Sequence, residues 1–286
     1  MKGTIYKGIG GFYYVMTDEL GSVECKARGK FRRERIIPMI GDEVEIEVKN
    51  GKGSINEIYP RRSKLIRPAV ANIDMIVVVA AAKSPDPSTA VIDKMLVNAE
   101  INGIEPIVCI NKIDLADCSD LIELYENAGY RTIAVSAEDG KGIDELYSMI
   151  RGRTAAFAGV SGVGKSSLLT LITGLGLETG SVSDKISRGR HTTRHVELFK
   201  IQGGGYVLDT PGFSSIEPED VTCEELSHCF PEMRKLSGQC RFRGCAHIGE
   251  PDCAVKELVS SGEIAASRYE SYKELYEIQR SKKQWI

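Results

Sequence analysis

A glycine-rich segment that ends in lysine and serine is typical of a phosphate-binding loop. Residues 159–166 match the pattern GxxxxGK[ST] in full, after a predicted strand and before a predicted helix. Its backbone N–H groups can point at phosphate oxygens, Lys165 can neutralise the β- and γ-phosphates, and the Ser166 hydroxyl can ligate Mg²⁺. A glycine-rich turn that binds nothing is the alternative, and the lysine, serine and flanking elements argue against it. The predicted contact set is Gly159, Val160, Ser161, Gly162, Val163, Gly164, Lys165, Ser166 and Ser167.

The tetrapeptide Asn111-Lys112-Ile113-Asp114 indicates which base the nucleotide carries. It follows an apolar run that predicts a strand, and ligands of open α/β sheets bind beyond the carboxyl ends of strands. The Asp114 carboxylate can accept hydrogen bonds from both N1–H and N2–H of guanine, and adenine has no such donor pair. Asn111 and Lys112 would support the base and the loop.

The dipeptide Ser136-Ala137 ends the next predicted strand, where a backbone N–H can meet guanine O6. The NKxD tetrapeptide alone is weak evidence. Together with this dipeptide and the phosphate-binding loop, each at a strand end, it predicts that the chain binds GTP with Mg²⁺.

Two later segments are candidates for sensing the γ-phosphate. Asp209 ends another short predicted strand and can hold the Mg²⁺ shell, while the Gly212 amide can contact the γ-phosphate. The basic stretch 190–194 contains Thr192 and Thr193, either of which could complete Mg²⁺ coordination. A plain basic surface loop remains the alternative for this stretch.

The order of these motifs is unusual. Most GTPases place the phosphate-binding loop first and the base-specificity motif last, whereas here the base-specificity motif (111–114) and Ser136-Ala137 precede the phosphate-binding loop (159–166), and 209–212 comes last. The same sheet can be built from a chain cut elsewhere, so the order predicts a circular permutation. The segment 209–216 then leads directly into the C-terminal part, and loss of the γ-phosphate should act on that part.

Hydrolysis should be slow for the isolated chain. Many GTPases place a water-orienting glutamine just after DxxG, but this chain has Phe213 there, and an apolar ring cannot orient water. His191 is the nearest candidate, because a neutral imidazole can orient water. An alternative role for His191 is contact with RNA or solvent.

A cluster of thiols and one imidazole lies near the C-terminus. Cys240, Cys245, His247 and Cys253 fall within fourteen residues of a chain with eight cysteines. Three thiolates and one imidazole suit a closed, tetrahedral and structural Zn²⁺ site. Unrelated buried thiols are the alternative. Other nearby candidates for ligands are Cys223, His228 and Cys229.

The regions around these motifs differ in charge and in pattern. Residues 1–70 contain 14 Lys+Arg and 9 Asp+Glu, a balance of +5, and the remainder of the chain balances at −8, for a net charge of −3. Short runs rich in β-branched and aromatic residues predict about five strands before residue 68, hence a small barrel. Its basic groups cluster at 26–35 and 61–67, which indicates phosphate contact; a solvated charged surface is the alternative.

The remaining chain predicts two further parts. Apolar strands alternate with helices between residues 69 and 216, as in an α/β domain with a mostly parallel sheet. Residues 217–286 are helical and rich in cysteine, and Tyr269, Tyr272, Leu275 and Tyr276 predict a packing face. No apolar run is long enough to cross a membrane and no secretory signal is evident, so a cytoplasmic protein is expected.

The permuted motif order, the barrel ahead of it and the Cys/His cluster behind it resemble the small-ribosomal-subunit-dependent GTPases of the RsgA family. RPAVANID (67–74) and GRHTTR (189–194) are also similar to the sequences of that family. The resemblance implies an OB-fold barrel over 1–68, a circularly permuted GTPase domain over 69–216, and a helical zinc-binding domain over 217–286. It also points to His191 as the catalytic histidine and to 240–253 as the zinc loop, which leaves Cys223, His228 and Cys229 as structural residues.

The resemblance implies a GTP-hydrolysing factor that acts late in maturation of the small subunit, near the decoding region of 16S rRNA. Subunit-stimulated hydrolysis, 16S rRNA as partner and a monomeric chain are expected. A GTP-gated switch acting on a protein effector is the main alternative, and a zinc-dependent nucleic-acid-binding protein with structural GTP is a third. The basic N-terminal part favours the first over the second, and the full Mg²⁺ and γ-phosphate set favours it over the third.

Overall fold

The computed structural model describes residues 1–174, 196–210, 212–215, 218 and 221–283. Contacts within the chain divide it into two compact units. One unit comprises residues 1–76, 143–157 and 165–211, and the other comprises 77–142, 158–164 and 212–286. His191, Thr192 and Thr193 lie outside the described residues, so their predicted roles stay predictions.

The N-terminal part of the first unit is a closed five-stranded barrel, as the strand pattern predicted, with strand order β1-β2-β3-β5-β4. Its apolar interior includes Ile5, Val15, Val44 and Ile55, each fully buried. A short basic helix α1, which the sequence did not predict, connects β3 to β4. The elements are β1 (Lys2–Ile9), β2 (Phe12–Thr17), β3 (Gly21–Ala27), α1 (Gly29–Arg33), β4 (Glu43–Lys49) and β5 (Lys52–Ile58).

After the barrel the chain forms a small hairpin and then the predicted alternation of strands and helices. The hairpin strands are β6 (Lys64–Leu65) and β7 (Val70–Ala71). The alternating elements are β8 (Met75–Ala81), α2 (Thr89–Ile101), β9 (Glu105–Asn111), α3 (Ser119–Asn127), β10 (Arg131–Ala134), α4 (Ile143–Ile150), β11 (Thr154–Ala158) and α5 (Lys165–Thr173). All seven residues of β8 are buried, as expected for a strand covered on both faces.

The strands of each unit can be followed separately. In the second unit β9 lies between β8 and β10 and pairs with β10 in parallel. In the first unit β11 pairs in parallel with β13 (Tyr206–Asp209), which pairs antiparallel with β12 (Phe199–Lys200). The carboxyl ends of β9 and β13 carry Asn111 and Asp209, so the predicted motifs do stand at strand ends.

The C-terminal part of the second unit is helical, as predicted. A 3₁₀ turn at Phe213–Ser215 packs against α2. The helices are α6 (Cys223–Leu226), α7 (Pro231–Arg234), α8 (Ala254–Ser261) and α9 (Ala266–Lys283). The apolar cluster here includes Phe230, Val255, Tyr272 and Leu275, so the predicted aromatic face of α9 is a packing face. No helix among the described residues has the length and apolar character that crossing a membrane requires.

A buried arginine joins three helices of this unit. Arg268 on α9 is 1% exposed and donates to Asp93 on α2 (2.6 Å) and to Glu232 on α7 (2.8 Å). Its guanidinium also lies 4.6 Å from the centroid of the Phe230 ring. Burial raises the pKa of Asp93, and the charge of Arg268 opposes that rise. Among the described residues, Arg268 is the only positively charged side chain that pairs with these two buried carboxylates. Its guanidinium therefore compensates their charge.

Replacing this arginine should destabilise the protein strongly. Arg268→Ala leaves Asp93 and Glu232 buried without their counter-charge, which typically costs about 3–5 kcal/mol. Urea unfolding followed by circular dichroism measures the loss. Arg280→Ala is the matched control, because Arg280 lies on the same helix in an exposed pair with Glu277, and it should leave the unfolding midpoint unchanged. Equal midpoints for the two variants would contradict the role given to Arg268.

Candidate nucleotide and metal sites

One asparagine connects the loops of the predicted base site. Asn111 is 1% exposed at the end of β9. Its Nδ2 donates to the carbonyl of Val163 (2.9 Å) and its Oδ1 accepts the N–H of Ala137 (3.1 Å). The side chain therefore holds the phosphate-binding loop and the Ser136-Ala137 loop to the base-specificity motif. The Ala137 amide, which the sequence assigned to guanine O6, is occupied by Asn111 in this structure.

The base-reading carboxylate is held by a hydroxyl. Ser136 is fully buried and its Oγ donates to Asp114 Oδ1 at 2.6 Å. The same Oγ accepts the N–H of Asp139 (3.0 Å), which orients the hydroxyl. Asp114 itself is exposed. A carboxylate held in this way is preorganised to accept the paired donors of guanine, and sequence analysis gave Ser136 only a backbone role.

The neighbouring residues support the same loop. Lys112 has a positive φ of 63° and its Nζ donates to the carbonyl of Ser84. The N–H of Ile113 donates to the carbonyl of Val135 (3.3 Å). Lys112 therefore braces the loop, as the sequence suggested, and Ile113 contributes its backbone.

Two glycines of the phosphate-binding loop are required by close contacts. A Cβ on Gly159 would lie 2.3 Å from the carbonyl oxygen of Val79, and one on Gly164 would lie 2.3 Å from Asn111 Nδ2. Gly164 also has a φ of 93°, in the region that favours glycine. The loop can approach β8 and Asn111 only without these side chains. Ser161 and Gly162 are exposed at its tip.

The first unit carries the lysine and the aspartate of the phosphate side. Lys165 begins α5, and Asp209 ends β13, where its backbone is in register with Phe157 of β11. Burial lowers the pKa of Lys165 and the charge of Asp209 opposes this; burial raises the pKa of Asp209 and Lys165 opposes that. Ser166 and Ser167 are exposed in the first turn of α5.

Asp209 has the property expected of a residue in a Mg²⁺ shell. Its Oδ1 is buried and has no hydrogen-bond partner among the described residues. A buried carboxylate oxygen without a donor is costly unless a ligand satisfies it, and Mg²⁺ with its water shell would do so. When bound, Mg²⁺ would supply positive charge that neutralises the phosphates. Ser166 and Asp209 are the residues that would hold it.

The segment after Asp209 differs from that of glutamine-dependent GTPases. Phe213 is 2% exposed, so its ring belongs to the core and is unavailable to water at the phosphate. Gly212 is described and exposed, and its contact with the γ-phosphate stays a prediction.

The four predicted zinc ligands lie together. Cys240, Cys245, His247 and Cys253 place their ligand atoms within 4.8 Å of one another. His247 Nδ1 lies 3.5 Å from Cys240 Sγ and 3.3 Å from Cys253 Sγ, and the two sulfurs are 3.9 Å apart. A tetrahedral Zn²⁺ with ordinary bond lengths requires edges of about 3.5 Å for S···N and about 3.8 Å for S···S. The residues therefore fit one Zn²⁺, and Cys223 and Cys229 are buried elsewhere.

The zinc loop is supported by side chains that sequence analysis did not assign to it. The hydroxyls of Tyr269 and Tyr272 on α9 donate to the carbonyls of His247 and Ala246, both at 2.6 Å. Glu250 accepts the N–H groups of Ala246 (2.8 Å), Ile248 (3.0 Å) and Gly249 (3.1 Å). The spacing of the tyrosines along α9 was the only available signal, and it indicated packing alone.

Comparison with known proteins agrees with this geometry. The family model described as RsgA GTPase matches residues 58–219, and the one described as RsgA N-terminal domain matches residues 2–55. A protein of Clostridium kluyveri named small ribosomal subunit biogenesis GTPase RsgA is 47% identical, over 99% of this chain and 100% of that protein. A protein of the same name from Caldanaerobacter subterraneus is 48% identical, over 95% of this chain and 93% of that protein.

The chain belongs to the RsgA GTPase family. The resemblance noted in the sequence is thereby confirmed, and the chain is a GTPase. The crystal structure of YjeQ from Thermotoga maritima covers 97% of this chain and 98% of that one, with 39% identity and a TM-score of 0.81. The crystal structure of YloQ, described as a circularly permuted GTPase, matches over 98% of this chain and 95% of that chain, with 38% identity and a TM-score of 0.81. The predicted architecture of barrel, permuted GTPase and helical Cys/His part is confirmed.

Changing Asp114 to asparagine should alter base preference. The amide cannot accept from both N1–H and N2–H of guanine, but its NH₂ can donate to the extra carbonyl of xanthine. Competition binding should show affinity for GTP falling about a hundredfold or more, with xanthosine triphosphate binding better than GTP. Asp120→Asn, an exposed aspartate on α3, is the control. An unchanged preference for GTP would show that Asp114 does not contact the base.

Changing Cys245 to serine should remove the metal. A site left with two thiolates and one imidazole loses most of its affinity for Zn²⁺. Elemental analysis of the purified protein should give about one zinc per wild-type chain and nearly none for Cys245→Ser. Cys118→Ser changes a half-buried thiol away from the cluster and should retain the metal. Retention of zinc by both variants would disprove the ligand assignment.

Proposed function

We propose that this GTPase acts in late maturation of the small (30S) ribosomal subunit, binding it in the GTP state and leaving after hydrolysis. The observation that carries the nucleotide part is the pair of hydrogen bonds by which Asn111 connects the phosphate-binding loop to the base-specificity motif. The name printed for the 47% identical relative from Clostridium kluyveri supports the ribosomal part.

We propose 16S rRNA as the partner of the barrel, over residues 1–68. Its charge supports this assignment, because the basic excess of the chain lies in this part and phosphate attraction supplies affinity without sequence specificity. The permuted GTPase domain is assigned to 69–216 and the zinc-binding domain to 217–286. A cytoplasmic monomer suits a factor that meets assembling subunits.

We propose that His191 orients the attacking water and that Thr192 or Thr193 joins the Mg²⁺ shell. The buried position of Phe213 supports a group from outside the DxxG segment. The other residues that we propose to bind nucleotide are those around Asn111 and those around Lys165. We expect turnover of the isolated protein to be slow and the small subunit to raise it.

Nucleotide-gated binding to small subunits tests this function. Co-sedimentation with purified small subunits should be strong with a non-hydrolysable GTP analogue and weak with GDP, because only the γ-phosphate state holds the binding conformation. Added subunits should raise GTP turnover at least tenfold, and His191→Ala should abolish that rise while His228→Ala, an exposed histidine, retains it.

The same experiment distinguishes the ribosomal function from the alternative function. A GTP-gated switch for a protein effector would bind subunits equally with either nucleotide, or not at all, and subunits would leave its turnover unchanged. Either result would overturn the proposed ribosomal function. Normal stimulation of His191→Ala would overturn the role of that histidine alone.

A further inference from the structure

Two segments of the first unit, which meet at a β-bridge, expose isoleucine side chains. The large apolar side chains that the described residues expose include Ile36 (40%), Ile37 (74%) and Ile66 (60%). Ile36 and Ile37 follow α1, and Ile66 lies in the turn between β6 and β7. The two segments are connected, because Ile40 bridges to Val70 of β7. We call Ile36, Ile37 and Ile66 the isoleucine patch.

The segment that carries Ile37 is firmly held. Asp42 is fully buried and accepts from Arg61 through both carboxylate oxygens (2.7 and 2.8 Å) and from the N–H of Met39 (2.7 Å). Arg61 also donates to the carbonyl of Ile37 (2.8 Å). These contacts hold the backbone of the segment in which Ile37 is 74% exposed.

Free positive charge adjoins the patch. Arg61 and Arg62 of the predicted basic cluster are neutralised by Asp42 and Glu43, and Arg28 by Glu47. Arg32, Arg33 and Arg35 are exposed, and their side chains make no ion pair or hydrogen bond within the described part of the chain. Arg28, Arg61 and Arg62 are thus less available for phosphate contact than the sequence indicated, whereas Arg32, Arg33 and Arg35 directly precede Ile36 and Ile37 in the chain.

We propose that the isoleucine patch is an apolar wedge that packs against splayed bases or riboses of RNA, while Arg32, Arg33 and Arg35 contact the flanking phosphates. The proposal rests on the proposed function, which supplies an RNA partner. Proteins that insert isoleucine or leucine between bases combine such wedges with basic side chains, and irregular RNA offers unstacked bases.

Other occupants fit less well. A peripheral membrane helix presents a continuous apolar face along its length, whereas α1 has five residues and buries Phe31. The core of a protein interface is depleted in charge, whereas here three unpaired arginines lie within five residues of Ile36 and Ile37 in sequence. Exposed arginines followed directly by exposed isoleucines match a surface that offers phosphates and apolar faces together.

Paired variants separate the wedge from simple charge attraction. Binding to small subunits, with the non-hydrolysable GTP analogue, and to protein-free 16S rRNA is measured over a range of KCl concentrations. The double change Ile36→Ser with Ile37→Ser should weaken both affinities about tenfold at an unchanged salt slope. Changing Arg32, Arg33 and Arg35 to glutamine should weaken binding and also make the salt slope shallower by about two.

Leu20→Ser is the matched control, because Leu20 is an exposed apolar side chain (55%) in the β2–β3 turn of the same barrel. It should leave both affinities within twofold of wild type. Wild-type binding by the isoleucine variant overturns the proposal, as does a loss confined to subunits with rRNA binding retained, which would assign the patch to a ribosomal protein. Binding to phosphatidylglycerol vesicles is measured as well. If the isoleucine variant loses affinity for these vesicles alone and keeps its affinity for RNA, the proposal is overturned.

Failure of the proposed function gives a different result. In that case the wild-type protein shows no nucleotide-dependent binding to small subunits, whatever the isoleucine variant does. The wedge is then judged on protein-free 16S rRNA alone, where an unchanged affinity of the isoleucine variant rejects it and a tenfold loss supports it.

Discussion

The second unit of the structure depends on the charge balance around Arg268, because this arginine joins α2, α7 and α9. A guanidinium and two carboxylates with almost no exposure are tolerable only while they remain in contact, so α2, α7 and α9 cannot move apart independently. Helix α2 starts directly after the loop that contains Ser84, the acceptor for Lys112. Helix α9 supplies the tyrosine hydroxyls that hold the zinc loop. One buried ion cluster thus connects the surroundings of the base-specificity motif to the metal-binding region.

The 3₁₀ turn at Phe213–Ser215 meets the same helix. It follows the aspartate of the predicted Mg²⁺ shell and packs on α2 through a buried ring. A glutamine at this position would belong at the phosphate, whereas phenylalanine anchors the segment in the core. Phe213 stands where many GTPases have a water-orienting glutamine, and it attaches the segment predicted to sense the γ-phosphate to the helix that bears Asp93.

Local patterns carried most of the sequence-based prediction. The phosphate-binding loop, Asp114 and the four zinc ligands could be predicted because their chemistry requires particular residues at short spacings, and the structure brings the four zinc-ligand candidates together. The bond from Ser136 to Asp114 was missed, since it joins residues that only the folded sheet brings together. Helix α1 was missed because five residues show no helical period. The basic cluster at 61–67 was overestimated, because sequence does not reveal that Asp42 and Glu43 neutralise Arg61 and Arg62.

The hydrogen bonds of Asn111 have a consequence for synthesis of the chain. The base-specificity motif and the Ser136-Ala137 loop leave the ribosome before the phosphate-binding loop does. For about 26 residues of elongation, a few seconds of synthesis time, the Asn111 amide has Ala137 as partner but lacks Val163. In an unpermuted GTPase the phosphate-binding loop is synthesised before the base-specificity motif. Here the base-specificity motif and the Ser136-Ala137 loop are synthesised first, and synthesis of Val163 then supplies the second partner of Asn111.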